Sequence, residues 1–220
     1  MERSIITTAD GSHTLFVPSL NEHFHSVHGA IQESVHVYIN NGLRRCDLNP
    51  VVVFEVGFGT GLNALLSLIY RGNRKVTYYS IEQFPLNEQE FLALNFAKQI
   101  SPRWEAAFSA MHRAPWNQLV EIEEDFKLYK IKNDLIEFEP HGYPPFDLIY
   151  FDAFGPEKQP EMWDEAIFEK LSAQTKPGGV FVTYCAKGEV RRRLIRTGFD
   201  MKRIPGPPGK KEMLFGQKIK

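Results

Sequence analysis

Val51-Val52-Val53-Phe54-Glu55-Val56-Gly57-Phe58-Gly59-Thr60-Gly61 is the stretch on which the fold turns. Its first six residues are β-branched or aromatic except for Glu55, the pattern of a strand buried on both faces of a parallel sheet. Three glycines at alternate positions follow, and then Leu62–Tyr70, whose apolar residues recur at helical spacing. Glycines at a strand end let the backbone turn sharply and approach a ligand without a Cβ clash. The free N–H groups opening the next helix favour a carboxylate or other anion. G-x-G-x-G with an acidic residue two places ahead departs from the G-x-G-x-x-G dinucleotide fingerprint.

Working outward, Lys75–Ile81, Phe126–Ile131, Phe146–Phe151 and Gly179–Tyr184 read as further strands. Helices are expected over Leu86–Ile100, with Phe91, Leu94 and Phe96 in the core, and over Glu161–Ala173 and Gly188–Thr197. Phe199–Ile204 and Glu212–Lys218 flank Pro205-Gly206-Pro207-Pro208-Gly209, which predicts a terminal β-hairpin. The alternation implies an α/β fold: a doubly wound, mostly parallel sheet with right-handed crossovers and a C-terminal antiparallel hairpin. Residues 1–45 differ and are expected to form an N-terminal extension packed on the core, the main domain being 46–220. Asp10-Gly11-Ser12 between Ser4–Thr8 and His13–Val17 signals a small hairpin, and His23–Ile39 fits a helix first and an extended segment last, its period being ambiguous.

Sheets of this kind bind ligands at the carboxyl ends of their strands. Glu82 closes the second strand, about 25 positions past the glycines, where a carboxylate can accept both hydrogen bonds of a ribose diol. Asn133-Asp134 follows the third strand, and Asp134 is placed to face an adenine edge or, alternatively, to cap a turn. Asp152 closes the fourth, where it can accept a hydrogen bond and a proton from a substrate amine, or act as a structural carboxylate. Phe154 beside it can stack on a base or fill core.

Composition narrows the class. The chain has 220 residues, 43% hydrophobic and 24% charged, a globular rather than disordered balance. No apolar run approaches the ~20 residues of a membrane span. Met1–Thr7 carries no secretory h-region, and Cys46 and Cys185 suggest neither a disulfide framework nor a CxxC metal site, so a cytoplasmic home is expected. His23, His25, His28 and His36 lack fitting acidic or cysteine partners; they are expected to line a pocket or surface, and no metal is expected. A net charge of −1 argues against bulk coating of nucleic acid. The charge is uneven, however: eleven Lys or Arg against three acids leave +8 on 187–220. That segment can form a basic face for phosphate or simply an ordinary solvated surface.

Several segments resemble one family. Phe54–Asn63 is similar to motif I of the methyltransferase part of MnmC, the bacterial tRNA wobble-uridine modification enzyme, and Phe151-Asp152-Ala153-Phe154-Gly155-Pro156-Glu157-Lys158-Gln159-Pro160-Glu161-Met162-Trp163 resembles its D-x-F-x-P-x-K-x-P-x-M-W stretch. Gly29–Tyr38, Val190–Leu194 with Gly198-Phe199, and Lys210–Leu214 agree as well. The resemblance implies a class I methyltransferase (Rossmann-like) fold and S-adenosyl-L-methionine as cofactor. The cofactor would be held by Glu55, Gly57, Phe58, Gly59, Thr60, Gly61, Asn63, Glu82 and Asp134, with Asp152 as the catalytic carboxylate. It implies methylation of the exocyclic amine of 5-aminomethyl-2-thiouridine in tRNA. Phe154, Lys158, Arg191, Arg192, Arg193, Lys210 and Lys211 would meet the tRNA anticodon stem-loop. With no second glycine-rich fingerprint before Lys220, a stand-alone form without the FAD oxidase domain is expected.

Two rival classes stand beside this one. A methyl- or aminopropyl-transferase for a small amine would use the same carboxylates, although the basic tail would repel a polyamine. A tRNA-binding module with a vestigial cofactor site would not need Gly57, Gly59, Gly61, Glu82 and Asp152 together.

Overall fold

The structure, a computed structural model, describes residues 2–219. Strands β1 (Ser4–Thr7), β2 (His13–Val17) and β3 (Glu22–His23) form a small antiparallel sheet of their own. The β1–β2 turn is the expected one: Asp10 Oδ1 accepts from Ser12 N at 3.0 Å and from Thr8 Oγ1 at 2.7 Å, with Gly11 at φ 81°. Helix α1 (Ala30–Ser34) then runs directly into a π-helical turn over Val35–Asn40. The ambiguous ending of His23–Ile39 is therefore helical and not extended. Val35, Val37 and Ile39 alternate like a strand, but Val37, Tyr38 and Ile39 are all buried in succession, enclosed on several sides. An enclosed segment shows no amphipathic period by which to identify it.

The main sheet has eight strands. They are β4 (Val51–Val56), β5 (Val76–Glu82), β6 (Leu119–Glu123), β7 (Phe126–Lys132), β8 (Phe146–Phe151), β9 (Thr175–Thr183), β10 (Phe199–Pro205) and β11 (Glu212–Lys218). Their order is β10-β11-β9-β8-β4-β5-β7-β6. Pairs β4–β5, β4–β8, β5–β7 and β8–β9 are parallel, whereas β11 runs antiparallel between β9 and β10. This is the doubly wound, mostly parallel sheet with a C-terminal antiparallel hairpin that the alternation implied. The remaining helices are α2 (Leu62–Tyr70), α3 (Glu88–Leu92), α4 (Phe96–Ile100), α5 (Glu105–Arg113), α6 (Glu165–Ala173) and α7 (Gly188–Arg196).

Strand β4 explains the layering. Val51 and Val53 pack into a core shared with α2, α5 and the N-terminal segment, while Phe54 and Val56 face a second core built with α6 and α7. Glu55 lies on the α2 face by the same alternation. Neighbours β5 and β8 leave β4 in opposite directions along the sheet, so the crevice at its carboxyl end is the topological switch point where such folds bind ligands.

Two further differences bear on the site. Leu86–Ile100 is not one helix but two, α3 and α4, interrupted at Ala93–Asn95. Asn95 is released from the helix to hold the N-terminal turn, its Oδ1 accepting from His13 N at 2.8 Å and its Nδ2 donating to Gly11 O at 2.9 Å. Helix α5 and strand β6, in a stretch where no element was expected, supply His112 and one sheet edge. Among the described residues no helix is long and apolar enough to cross a membrane.

Asn95→Ala removes both tethers of the N-terminal turn and should lower stability to urea by about 1–3 kcal/mol. Hydrogen exchange should accelerate in β1 and β2 first; uniform acceleration across the main sheet would contradict the tethering role.

Candidate active site

A cavity of about 640 Å³ opens at the carboxyl ends of β4, β5 and β8, a size suited to a small molecule or cofactor. The sheet positions its floor. Gly57 N donates to Ile81 O at 3.0 Å and Asp152 N to Val56 O at 3.0 Å, so the glycine turn and Asp152 leave adjacent strands side by side. Gly57 and Gly61 have φ 91° and 72°, and a Cβ at Gly61 would stand 2.9 Å from His112 Nε2. Glycine is required there on both counts.

Of the residues expected to hold a cofactor, Gly57, Phe58, Gly59, Thr60, Asn63, Glu82 and Asp134 line this cavity. Glu82 braces the turn, Oε2 accepting from Gly59 N at 2.9 Å and Oε1 from Phe84 N at 2.7 Å. Each oxygen keeps a lone pair for a further donor. Asp134 accepts from Gln83 Nε2 at 3.0 Å and from Ile136 N at 2.9 Å. Glu55 and Gly61 do not line the cavity. Glu55 is 1% exposed beneath it, because β4 alternation turns it toward α2; Oε1 accepts from Asn63 Nδ2 at 3.0 Å and Oε2 from Ser80 Oγ at 2.7 Å. Its contact with any ligand must pass through Asn63.

Asp152 stands at the centre of a polar cluster. Tyr38 Oη donates to its Oδ1 at 2.5 Å, and Asn63 Nδ2 donates to its Oδ2 at 2.8 Å. Burial pushes the Asp152 carboxyl up to about 7 against the hydrogen bonds that favour its charge, and pushes Glu55 up to about 8. Burial also holds His25 down at about 4 and His112 at about 3, so both rings are neutral near pH 7. His112 Nε2 donates to Thr60 O at 3.0 Å, and His25 Nε2 lies 3.2 Å from Thr60 Oγ1, fixing the turn from two sides.

Sequence reasoning missed several of these residues. His112 and Tyr184 carry no local motif, Tyr38 ends a family-like segment with no role read for it, and the N-terminal segment His23–Ser26 forms a wall of the cavity with Phe24 edge-on to Phe154 at 5.2 Å between centroids. Of the four noted histidines, His23 and His25 line the pocket, while His36 Nε2 bonds Pro205 O at 2.9 Å. Among the described residues no group of three His, Cys, Asp or Glu is arranged to hold a metal ion.

The basic residues divide. Lys210 and Lys211 reach the cavity mouth, Lys210 Nζ lying 2.8 Å from Glu33 Oε1 and 3.9 Å above the Tyr184 ring. Lys158 and the three arginines do not line the cavity. Arg191 Nε donates to Met201 O, and Arg193 bonds Trp163 O, Asp164 and Glu189. These bonds tie Arg191 and Arg193 to other protein groups, and Arg192 alone of the three is exposed.

Fold and site define an S-adenosyl-L-methionine-dependent methyltransferase. The model of the family described in those words matches residues 93–219, and the chain belongs to that family. Its relatives include two proteins named tRNA 5-methylaminomethyl-2-thiouridine biosynthesis bifunctional protein MnmC. That of Ectopseudomonas mendocina (strain ymp) is 31% identical over 201 residues, 84% of this chain and 30% of that protein. That of Leptospira interrogans serogroup Icterohaemorrhagiae serovar copenhageni (strain Fiocruz L1-130) is 31% identical over 210 residues, 88% and 32%. The chain thus spans about a third of the length of the curated relatives it matches. The crystal structure of MnmC2 from Aquifex aeolicus shares the fold, with a TM-score of 0.80 at 24% identity over 98% of this chain and 69% of that one. The resemblance to the methyltransferase part of MnmC is borne out, and the family's cofactor is S-adenosylmethionine. The cavity fits it: Asn63 Oδ1 is buried without a protein partner at the cavity wall, an acceptor suited to an ammonium, beside the glycine turn.

The buried carboxyls make stability fall with rising pH. Glu55 and Asp152 have folded pKa values above their unfolded ones, so the native state binds more protons and is favoured below about 7 to 8. His25 and His112 act oppositely, but only below their unfolded value near 6.5. Between pH 6.5 and 8 Lys130, which burial lowers to about 8, opposes the carboxyls only near the top of the range, so urea unfolding should show declining stability between about pH 6.5 and 7.5. Glu55→Gln should flatten the decline; an unchanged slope would mean that Glu55 is ionised throughout.

Proposed function

We propose that this chain transfers the methyl group of S-adenosylmethionine to the exocyclic amine of 5-aminomethyl-2-thiouridine at the wobble position of tRNA. The observation that carries this is the Asp152 carboxylate, held from both oxygens at the floor of the cavity beside the Gly57–Gly61 turn. The relatives' name for their product supports the choice of substrate. The basic side chains of Lys210 and Lys211 at the mouth support a polyanionic acceptor.

Bound S-adenosylmethionine supplies an activated methyl group on its sulfonium. What remains for the protein is alignment and a free lone pair on the amine nitrogen. Gly57–Thr60, Asn63, Glu82 and Asp134 hold the cofactor in this proposal, and Phe24 and Phe154 offer an aromatic wall for the uracil ring. Asp152 accepts the ammonium proton. A carboxyl at about 7 is a stronger base than an ordinary aspartate, which narrows the gap to an aliphatic amine. Glu22, Glu33 and Glu157 also line the cavity, and they favour a cationic amine of any size, so a small amine is the second reading.

Labelled methyl should enter hypomodified tRNA and not free polyamines; the reverse result overturns the tRNA substrate. Asp152→Ala should lower kcat by about 100-fold or more while leaving cofactor affinity nearly intact. Equal loss of both would make Asp152 a cofactor support. For tRNA binding, Arg192→Ala should reduce the log–log salt slope by about 1, and Arg193→Ala should lower stability with the slope unchanged. An equal change of slope in both would return the arginines to a single patch.

A further inference from the structure

Tyr38 lies outside every cofactor motif, yet its hydroxyl makes the shortest contact to Asp152, at 2.5 Å. The ring is 1% exposed and tilts against Tyr150 at 5.0 Å between centroids. A phenylalanine would fill this space equally well, and a buried hydroxyl is costly unless it is hydrogen-bonded. The hydroxyl therefore needs an explanation beyond packing, and its single proton goes to the carboxylate.

We propose that Tyr38 is a positioning residue for methyl transfer: with Asn63 on the other oxygen, it fixes the rotation of the Asp152 carboxylate so that the remaining lone pairs meet the acceptor amine. The inference rests on the reading of Asp152 as proton acceptor. A carboxylate gripped by one donor can swivel about its Cβ–Cγ bond; gripped at both oxygens it cannot. The two donors come from elements far apart in the chain, the π-helical turn at Val35–Asn40 and the first turn of α2. Each oxygen keeps one in-plane lone pair. The π-helical turn is what brings Tyr38 to Asp152, since the strand expected there would alternate its side chains between two faces.

Burial and the Asp152 charge raise the Tyr38 hydroxyl well above its ordinary value, so it stays a donor over the working range and does not compete for the amine's proton. Its donation favours the ionised form of Asp152. The other groups facing Asp152 are Glu33 from α1, Glu55 from β4, Tyr184 beyond β9, Tyr78 from β5 and Lys210 from the β10–β11 connection. Tyr38→Phe alters none of them, so a shift in the acid limb of the pH–rate profile is traceable to the lost hydroxyl.

The test is the pH dependence of kcat/KM for methyl transfer in the wild type, Tyr38→Phe and Asp152→Asn, with thermal unfolding as a folding control. Tyr38→Phe should move the acid limb up by about one pH unit and lower kcat with little change in cofactor KM. Replacing Tyr38 by 3-fluorotyrosine, a stronger donor of nearly the same shape, should move the limb down. Opposite shifts support the role; a limb unmoved in either protein overturns it, and if Tyr38→Phe fails to fold the fluorotyrosine protein decides alone. Asp152→Asn separates the two ideas: if it retains the acid limb and full activity, Asp152 is not the proton acceptor and the parent reading fails. If Asp152→Asn is inactive while the Tyr38 proteins keep the wild-type limb, only the Tyr38 inference falls.

Discussion

One amide nitrogen holds the site together. Asn63 Nδ2 donates to Glu55 Oε1 at 3.0 Å and to Asp152 Oδ2 at 2.8 Å, joining the buried Glu55 carboxyl to the half-buried carboxyl of Asp152. Like-charged acids held this close and partly withdrawn from water cannot both ionise cheaply. The amide, the Ser80 hydroxyl and the Tyr38 hydroxyl offset part of that cost, and the rest shows as carboxyls raised to about 8 and about 7. The deeper acid thus keeps its proton at neutral pH, and the one at the cavity surface exchanges its own readily.

The sheet makes this arrangement unavoidable once β4 and β8 are neighbours. Glu55 is paired with Ser80 on β5 and Tyr150 on β8 by register, and Asp152 is the first residue after β8. The crossover to α2 begins with the glycine turn, so Asn63, on its first turn, stands over both strands. The N-terminal segment closes the remaining side: β2, α1 and the π-helical turn pack into the α2-side core, which brings Tyr38 to Asp152 and Phe24 to Phe154. The cavity thus has the glycine turn on one side and the aromatic and lysine-bearing wall on the other, which in the proposed function become cofactor cradle and acceptor pocket.

Much of this was legible in the chain. A six-residue apolar run leading into alternating glycines has few other readings, and Glu82, Asp134 and Asp152 could be placed at the sheet edge because strand ends are easy to see. Glu55 lies off the cavity for a reason the same strand contains: it shares a face with Val51 and Val53, and that face turns toward α2. The arginines look alike in sequence, yet consecutive helical positions point about 100° apart. Arg191 and Arg193 accordingly reach different neighbours, while Arg192 faces solvent. Tyr38 was invisible because its partner is 114 positions away and its own segment alternates like a strand. His112 was invisible because its significance lies in a backbone carbonyl, Thr60 O, that no sequence pattern marks.

Titration of the side-chain carboxyl carbons by NMR, with the Asp152 resonance assigned by its loss in Asp152→Asn, measures the electrostatic state at the heart of this account. Asp152 should titrate with a midpoint near 7. A midpoint at or below about 4, where unperturbed aspartates titrate, would mean a solvated carboxylate and would contradict it.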